Sequence, residues 1–208
     1  MGSVEPIRER IEPVSKQPIP ISGRAVENLQ FIRDAMENAT HFTAVPGYGG
    51  MLMGLTAIAA AYISAQQVYL RDWLVVWIAE AFLAMAVGFL TMWQKSKISG
   101  SSLVSTPAKK FAKNFVPALF CGAVISFGLW RYEMYAMMPP VWMLCYGAAV
   151  AGGGAFSVKA VPVMGWLFIV FGTAAAALPA SAANWLMAAS FGMLHIIFGF
   201  LIARRHGG

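Results

Sequence analysis

The sequence predicts an all-α integral membrane protein with six transmembrane helices arranged as three helical hairpins, preceded by a cytoplasmic amphipathic helix. Three observations predict it. Hydrophobic residues make up 59% of the 208 and charged residues only 12%, about half of the ~25% typical of a soluble domain. Six apolar runs, at about 47–66, 72–93, 112–131, 138–156, 161–178 and 183–203, approach the ~20 residues that cross ~30 Å of hydrocarbon. Cations gather in alternate links between these runs, the pattern that orients a chain in a bilayer.

Residues 1–22 alternate Glu, Arg and Lys around Pro6, Pro13, Pro18 and Pro20. Such a segment buries too little apolar surface to offset its chain entropy and is expected to be a disordered cytoplasmic tail. Over 23–45 the expected element is the amphipathic helix, running from Arg24 to about Phe42. Ala25, Leu29, Ile32, Met36 and Ala39 recur there at helical spacing, opposite Glu27, Asn28, Asp34 and Glu37. An acidic polar face binds anionic headgroups poorly, so the apolar stripe is expected to dock on protein, either this chain or a partner. Residues 46–208 form the expected transmembrane domain. The first long apolar run begins only near Tyr48, so the amino terminus is expected to be retained without a secretory signal.

With the amino terminus inside, the inner segments hold thirteen Lys and Arg, among them Lys95, Lys97, Lys109, Lys110, Lys113, Lys159, Arg204 and Arg205, and the outer ones only Arg71 and Arg131. Both termini are thus expected in the cytoplasm, and the location is the cytoplasmic (inner) membrane if the source is prokaryotic. Tyr69, Trp73, Trp130, Tyr132, Tyr135, Trp142 and Trp185 fall at the expected outer interface, where amphipathic rings prefer to sit. Cys121 is placed toward the inner leaflet and Cys145 toward the outer, beyond the ~7 Å reach of a disulfide. The net charge of +6 forms no basic face, so nucleic acid is not an expected partner; the lipid bilayer is, and a homo-oligomer is compatible with the sequence.

An internal pattern underlies the hairpins. Val45-Pro46, Val116-Pro117 and Val161-Pro162 stand where the odd spans are expected to begin, and Trp73, Trp142 and Trp185 near the starts of the even ones. Duplication would produce this, and so would the shared preference for Pro in a first helical turn and Trp at an interface.

Two ionisable residues fall deep within the runs, Glu80 and His195, at similar expected depth. An intramembrane carboxyl or imidazole is costly to bury and is by default a functional candidate. Each lies on a stripe of small residues, Ala84 and Gly88 beside Glu80 and Ala188, Gly192 and Gly199 beside His195, so both are expected to face the bundle. They are candidates either for an interhelical hydrogen bond or for a proton or substrate site. Gly50, Gly54, Gly147, Gly152, Gly153 and Gly154 are expected to serve helix packing. No metal site is expected and no cofactor is implied, since a haem between two histidines would need a second membrane histidine. No nucleophile elbow, H-E-x-x-H, Walker loop or dinucleotide fingerprint occurs, which points away from an enzyme. The leading expectation is a membrane-embedded interaction or regulatory protein that engages a cytoplasmic or membrane partner through its amphipathic helix. The alternative is a small transporter or proton-coupled permease with Glu80 and His195 at a midplane site.

Overall fold

A computed structural model of the chain describes residues 26–32, 36, 41–100 and 102–206. Among these residues the fold is helical, with no β-strand and an isolated bridge between Phe42 and Ser157. The chain divides into two compact units, Met1–Asn38 and Ala39–Gly208. In the first, residues 26–32 form α1 and Met36 is also helical; Leu29, Ile32 and Met36 of the expected apolar stripe are exposed. Ala25 and Ala39, at either end of that stripe, lie outside the described residues, as does the tail expected over 1–22.

The second unit contains α2 (Gly47–Ala65), α3 (Leu70–Ser99), α4 (Thr106–Arg131), α5 (Met138–Gly154), α6 (Ala160–Ala177) and α7 (Ala180–His206). Five of these, α2, α3, α4, α6 and α7, are long and apolar enough to cross a membrane, which makes this a membrane protein. At 17 residues, α5 is shorter than the others, about 26 Å long. Local chemistry marks several ends. Ser105 caps α4 by accepting the Ala108 N–H at 3.4 Å, with Pro107 in the first turn. Gly100, at φ 65°, stops α3 in the left-handed conformation that glycine adopts without strain.

Packing sorts the helices into two groups, with α2 flanked by α3 and α7, and α5 flanked by α4 and α6. Glycines allow the closest approaches. A methyl group placed on Gly54 of α2 would lie 2.5 Å from the Gly192 carbonyl oxygen of α7, and one on Gly147 of α5 would lie 2.8 Å from that of Gly165 on α6. Backbones meet at these positions, where dispersion between helices replaces the hydrophobic drive that lipid does not supply. Gly153 and Gly154 also sit against neighbours, Phe115 and Pro162, whereas Gly152 has only ordinary contact with Asn114 at 3.5 Å. The outer faces of α3 and α4 carry exposed Phe82, Phe89, Phe120 and Phe127, as lipid-facing helices should.

Several expectations need correction. Residues 41–46 are not helical, although the amphipathic helix was expected to reach Phe42. The Phe42 N–H donates to the Phe156 carbonyl at 2.7 Å and its carbonyl accepts from Ser157 Oγ at 2.7 Å. Extended backbone ahead of Pro46 thus satisfies its polar groups on the α5–α6 link instead of within a helix. Lys95, expected among the solvated inner cations, is buried and donates from Nζ to the Val45 carbonyl at 3.0 Å. The reason is that α3 continues to Ser99, past the expected end at 93, and carries Lys95 against the start of α2.

Val116-Pro117 does not open a helix: Pro117 lies inside α4, which begins at Thr106. Its missing N–H frees the carbonyl four residues earlier, at Lys113, near the cationic end of the helix where water reaches. Trp73 and Trp142, in the first turns of α3 and α5, turn inward, their rings stacked at 5.8 Å and 10°, while Tyr69, Trp130, Tyr132 and Trp185 are exposed. The cysteines are not in opposite leaflets. Cys145 packs where a side chain on Gly122, the neighbour of Cys121, would stand, its Cβ 3.0 Å away. Counted from the shared turn between Arg131 and Met138, the two thiols differ in depth by only about 5 Å. Both are free.

Candidate functional site

Three polar constellations lie among the helices of the second unit. Glu80 of α3 is 8% exposed, and its Oε1 accepts from Thr56 Oγ1 of α2 at 2.8 Å. The same hydroxyl lies 2.9 Å from the Met53 carbonyl. A threonine has one proton to donate. Its proton is shared between Glu80 and the Met53 carbonyl, so the carboxyl is tied to α2 through a hydroxyl that also bonds its own helix.

His195 of α7 is 5% exposed and its Nε2 stands 2.8 Å from the Tyr146 hydroxyl of α5. Phe168 meets the imidazole edge to face at 5.5 Å, and Phe191 lies nearly parallel to it at 6.4 Å. This aromatic box joins α7 to α5 and α6, and hence one helix group to the other. Nδ1 has no hydrogen-bond partner. The backbone of Ser190 and Phe191, in the preceding turn, is what lies nearest to this nitrogen, at a geometry too poor for a full hydrogen bond. Immediately before His195 the helix widens into a π-helical stretch, Ala188–Leu194, a distortion that occurs frequently at functional sites.

Asn184, in the first turns of α7, ties its own group together. Its Oδ1 accepts from Ser64 Oγ at 2.9 Å, Trp73 Nε1 at 3.1 Å and Trp77 Nε1 at 3.2 Å, and its Nδ2 donates to the Ala61 carbonyl at 2.9 Å. One side chain thereby links α2, α3 and α7 at depth. Beside this hub a groove of about 620 Å³ opens between the two groups, walled by α2, α3 and α7 on one side and by Tyr135, Ala136 and Pro139 on the other.

Glu80 and His195 therefore do not bond to each other, and the expected interhelical link between them is replaced by two separate ones, to Thr56 and to Tyr146. Helical periodicity shows which face a residue occupies but not which neighbour stands opposite. Tyr146, Thr56 and Asn184 carry no motif that marks them in the sequence; for Asn184 the available signal is an asparagine beside Trp185 in an apolar run. Among the described residues no group of three His, Cys, Asp or Glu could hold a metal ion.

Replacing Tyr146 with Phe keeps the ring and removes the hydroxyl, leaving both His195 nitrogens without partners. Stability in detergent is expected to fall by about 1–2 kcal/mol, read by thermal unfolding; an unchanged midpoint would mean that the contact is not formed.

These features define a multipass helical membrane protein with buried polar pairs. No family model, curated protein or solved structure matches the chain.

Proposed function

We propose that the protein is a small permease whose two helix groups shift against one another about the His195–Tyr146 contact. The observation that carries this reading is the position of that contact: a buried imidazole with one free nitrogen, bonded across the junction of the groups, directly after a π-helical stretch. Transport sites are characteristically found where bundles meet and where a spanning helix is irregular. Glu80, held by Thr56, is the proton-carrying group of the same mechanism.

In this reading the chain crosses six times as three inside–out–inside hairpins, with α5 completing the set because its 17 residues fall at the lower end of the spanning range of ~17–25. Both termini face the cytoplasm, and the protein resides in the inner membrane if its source is prokaryotic. The decisive measurement is uptake by proteoliposomes under an imposed pH gradient, screened over a panel of small solutes. Wild type is expected to accumulate at least one solute in proportion to the gradient. Glu80→Gln should abolish that dependence, and His195→Ala should cut the rate by at least about tenfold, equivalent to ~1.4 kcal/mol of barrier. A panel that yields no gradient-dependent uptake overturns the reading.

A second reading, an interaction or regulatory protein, is favoured by one observation: Leu29, Ile32 and Met36, on one stripe of the amino-terminal helical segment, are all exposed. Such a stripe suits docking on an apolar groove of a protein partner. Deleting residues 24–38, which spares the Phe42–Ser157 bridge, should then release a partner otherwise recovered from native membranes. Recovery of the same proteins with and without the segment would exclude it.

A further inference from the structure

Each helix group is closed by backbone contact, and the junction between the groups is built differently. Among the described residues, every glycine whose side-chain position is taken up by another helix finds that helix inside its own group, as Gly54 finds Gly192 and Gly147 finds Gly165. The polar and aromatic contacts across the junction are between side chains: His195 with Tyr146 and Phe168, and Trp73 on Trp142 at the end that carries the groove. Interdigitated backbones move together, whereas bodies joined by a thinner seam of side chains can shift against one another. At the end away from the groove, one piece of backbone crosses that seam.

This piece is Phe42–Val45, the non-helical strap that leads into α2. Its root belongs to the first group: Lys95 of α3 holds the Val45 carbonyl at 3.0 Å, and Gly47, where α2 begins, lies against Ala203 of α7. Its tip is seated in the second group. The Phe42 N–H donates to the Phe156 carbonyl and the Phe42 carbonyl accepts from Ser157 Oγ, both at 2.7 Å, while the Phe42 ring packs on Phe111 of α4 at 5.3 Å. Phe42, Ala44 and Ser157 are buried. We propose that this strap is a latch, which clasps the second group to the first at the end away from the groove and lets the groups part there when it lifts. The clasp is small enough to lift. It consists of two hydrogen bonds and a ring contact, and exposed Lys109, Lys110 and Lys159 on the same elements mark the end where water can take over the released backbone groups. A difference of that size leaves the parted state at roughly 0.1–10%. The inference shares with the permease reading a relative movement of the two groups and requires no transported solute.

The test uses the full-length protein in phosphatidylcholine nanodiscs, with Cys121 and Cys145 replaced by alanine so that only introduced thiols take a spin label. Lys109→Cys on α4 with Arg205→Cys on α7 reports the latched end, and Arg71→Cys on α3 with Arg131→Cys on α4 the opposite end; all four positions are exposed. Double electron–electron resonance should give one dominant distance between the Lys109 and Arg205 positions when the strap is intact. Ser157→Ala, which deprives the Phe42 carbonyl of its donor, should raise the population of a second, longer distance by about tenfold. Phe42→Ala with Ser157→Ala should raise it further, while the distance between the Arg71 and Arg131 positions holds or shortens. The proposal is overturned if the strap variants keep the single native distance, or if both ends lengthen alike, which is general loosening. Should thermal unfolding show that the double variant does not fold, Ser157→Ala alone decides. A split distance without gradient-driven uptake supports the latch and sinks the permease; uptake with an unmoved distance does the reverse.

Discussion

Asn184→Leu is expected to destabilise the protein by about 1–3 kcal/mol. The substitution nearly preserves volume but strands the indole N–H groups of Trp73 and Trp77, which converge on the amide oxygen in the native protein, while Ser64 Oγ keeps its bond to the Ala61 carbonyl at 3.1 Å. Each orphaned donor costs on the order of 1 kcal/mol, discounted because an unfolded chain in lipid also finds partners. Trp73 and Trp77 are both buried, so water cannot stand in for the missing acceptor. Trp73 also stacks on Trp142, and indole fluorescence should therefore report the loosening directly. Thermal unfolding in detergent provides the free-energy measure, and a change below about 0.5 kcal/mol would show that the hub is not a structural tie. Asn184→Asp is the informative companion. It retains the acceptor for both indoles but loses the donation to Ala61 and adds the cost of burying a carboxyl, so its loss should shrink as the pH is lowered.

Gly54→Leu is expected to be at least as severe. A Cβ at this position would overlap the Gly192 carbonyl oxygen and the Ile196 side chain of α7, and backbone cannot move aside as a flexible side chain can. Forcing the two helices apart costs roughly 1–3 kcal/mol as overpacking. It also weakens dispersion along the rest of the shared seam, where Gly50 lies against Gly199. The variant should lose its monodisperse elution or unfold well below wild type. Gly152→Ala supplies the contrast, because its nearest neighbour atom is at an ordinary 3.5 Å. Replacing a helical glycine with alanine where there is room should stabilise by up to about 1 kcal/mol. If both substitutions behave alike, glycine contact geometry is not what holds α2 to α7.

These two cases show how far the residues can be read in one dimension. Both glycines belong to the small-residue stripes that periodicity picks out, yet only the spatial arrangement separates one that admits a backbone from one with space to spare. Glu80 and His195 were likewise legible as buried, because an ionisable group inside an apolar run with small residues three and four positions away has little choice of direction. Their partners were not legible. Thr56 and Tyr146 look like routine polar residues of apolar helices, and neither spacing nor composition tells which helix will stand across from which. The same limitation explains Trp73 and Trp142, which stand near the expected helix ends but turn inward to stack on each other, because sequence distance to an end gives height and not facing.

Composition and run length by themselves determined that this chain is helical and lipid-embedded, since oily segments of bilayer length satisfy their backbone hydrogen bonds only within helices. Tertiary structure alone decided that the helices pack as α3–α2–α7 and α4–α5–α6, that Asn184 gathers three donors, and that Phe42 leaves the helix to pair with the α5–α6 link. The physical reason is that hydrophobicity acts between a residue and its solvent and is readable position by position. Close packing and hydrogen bonding act between particular pairs of residues, often far apart in the chain, as Ser64 and Asn184 are.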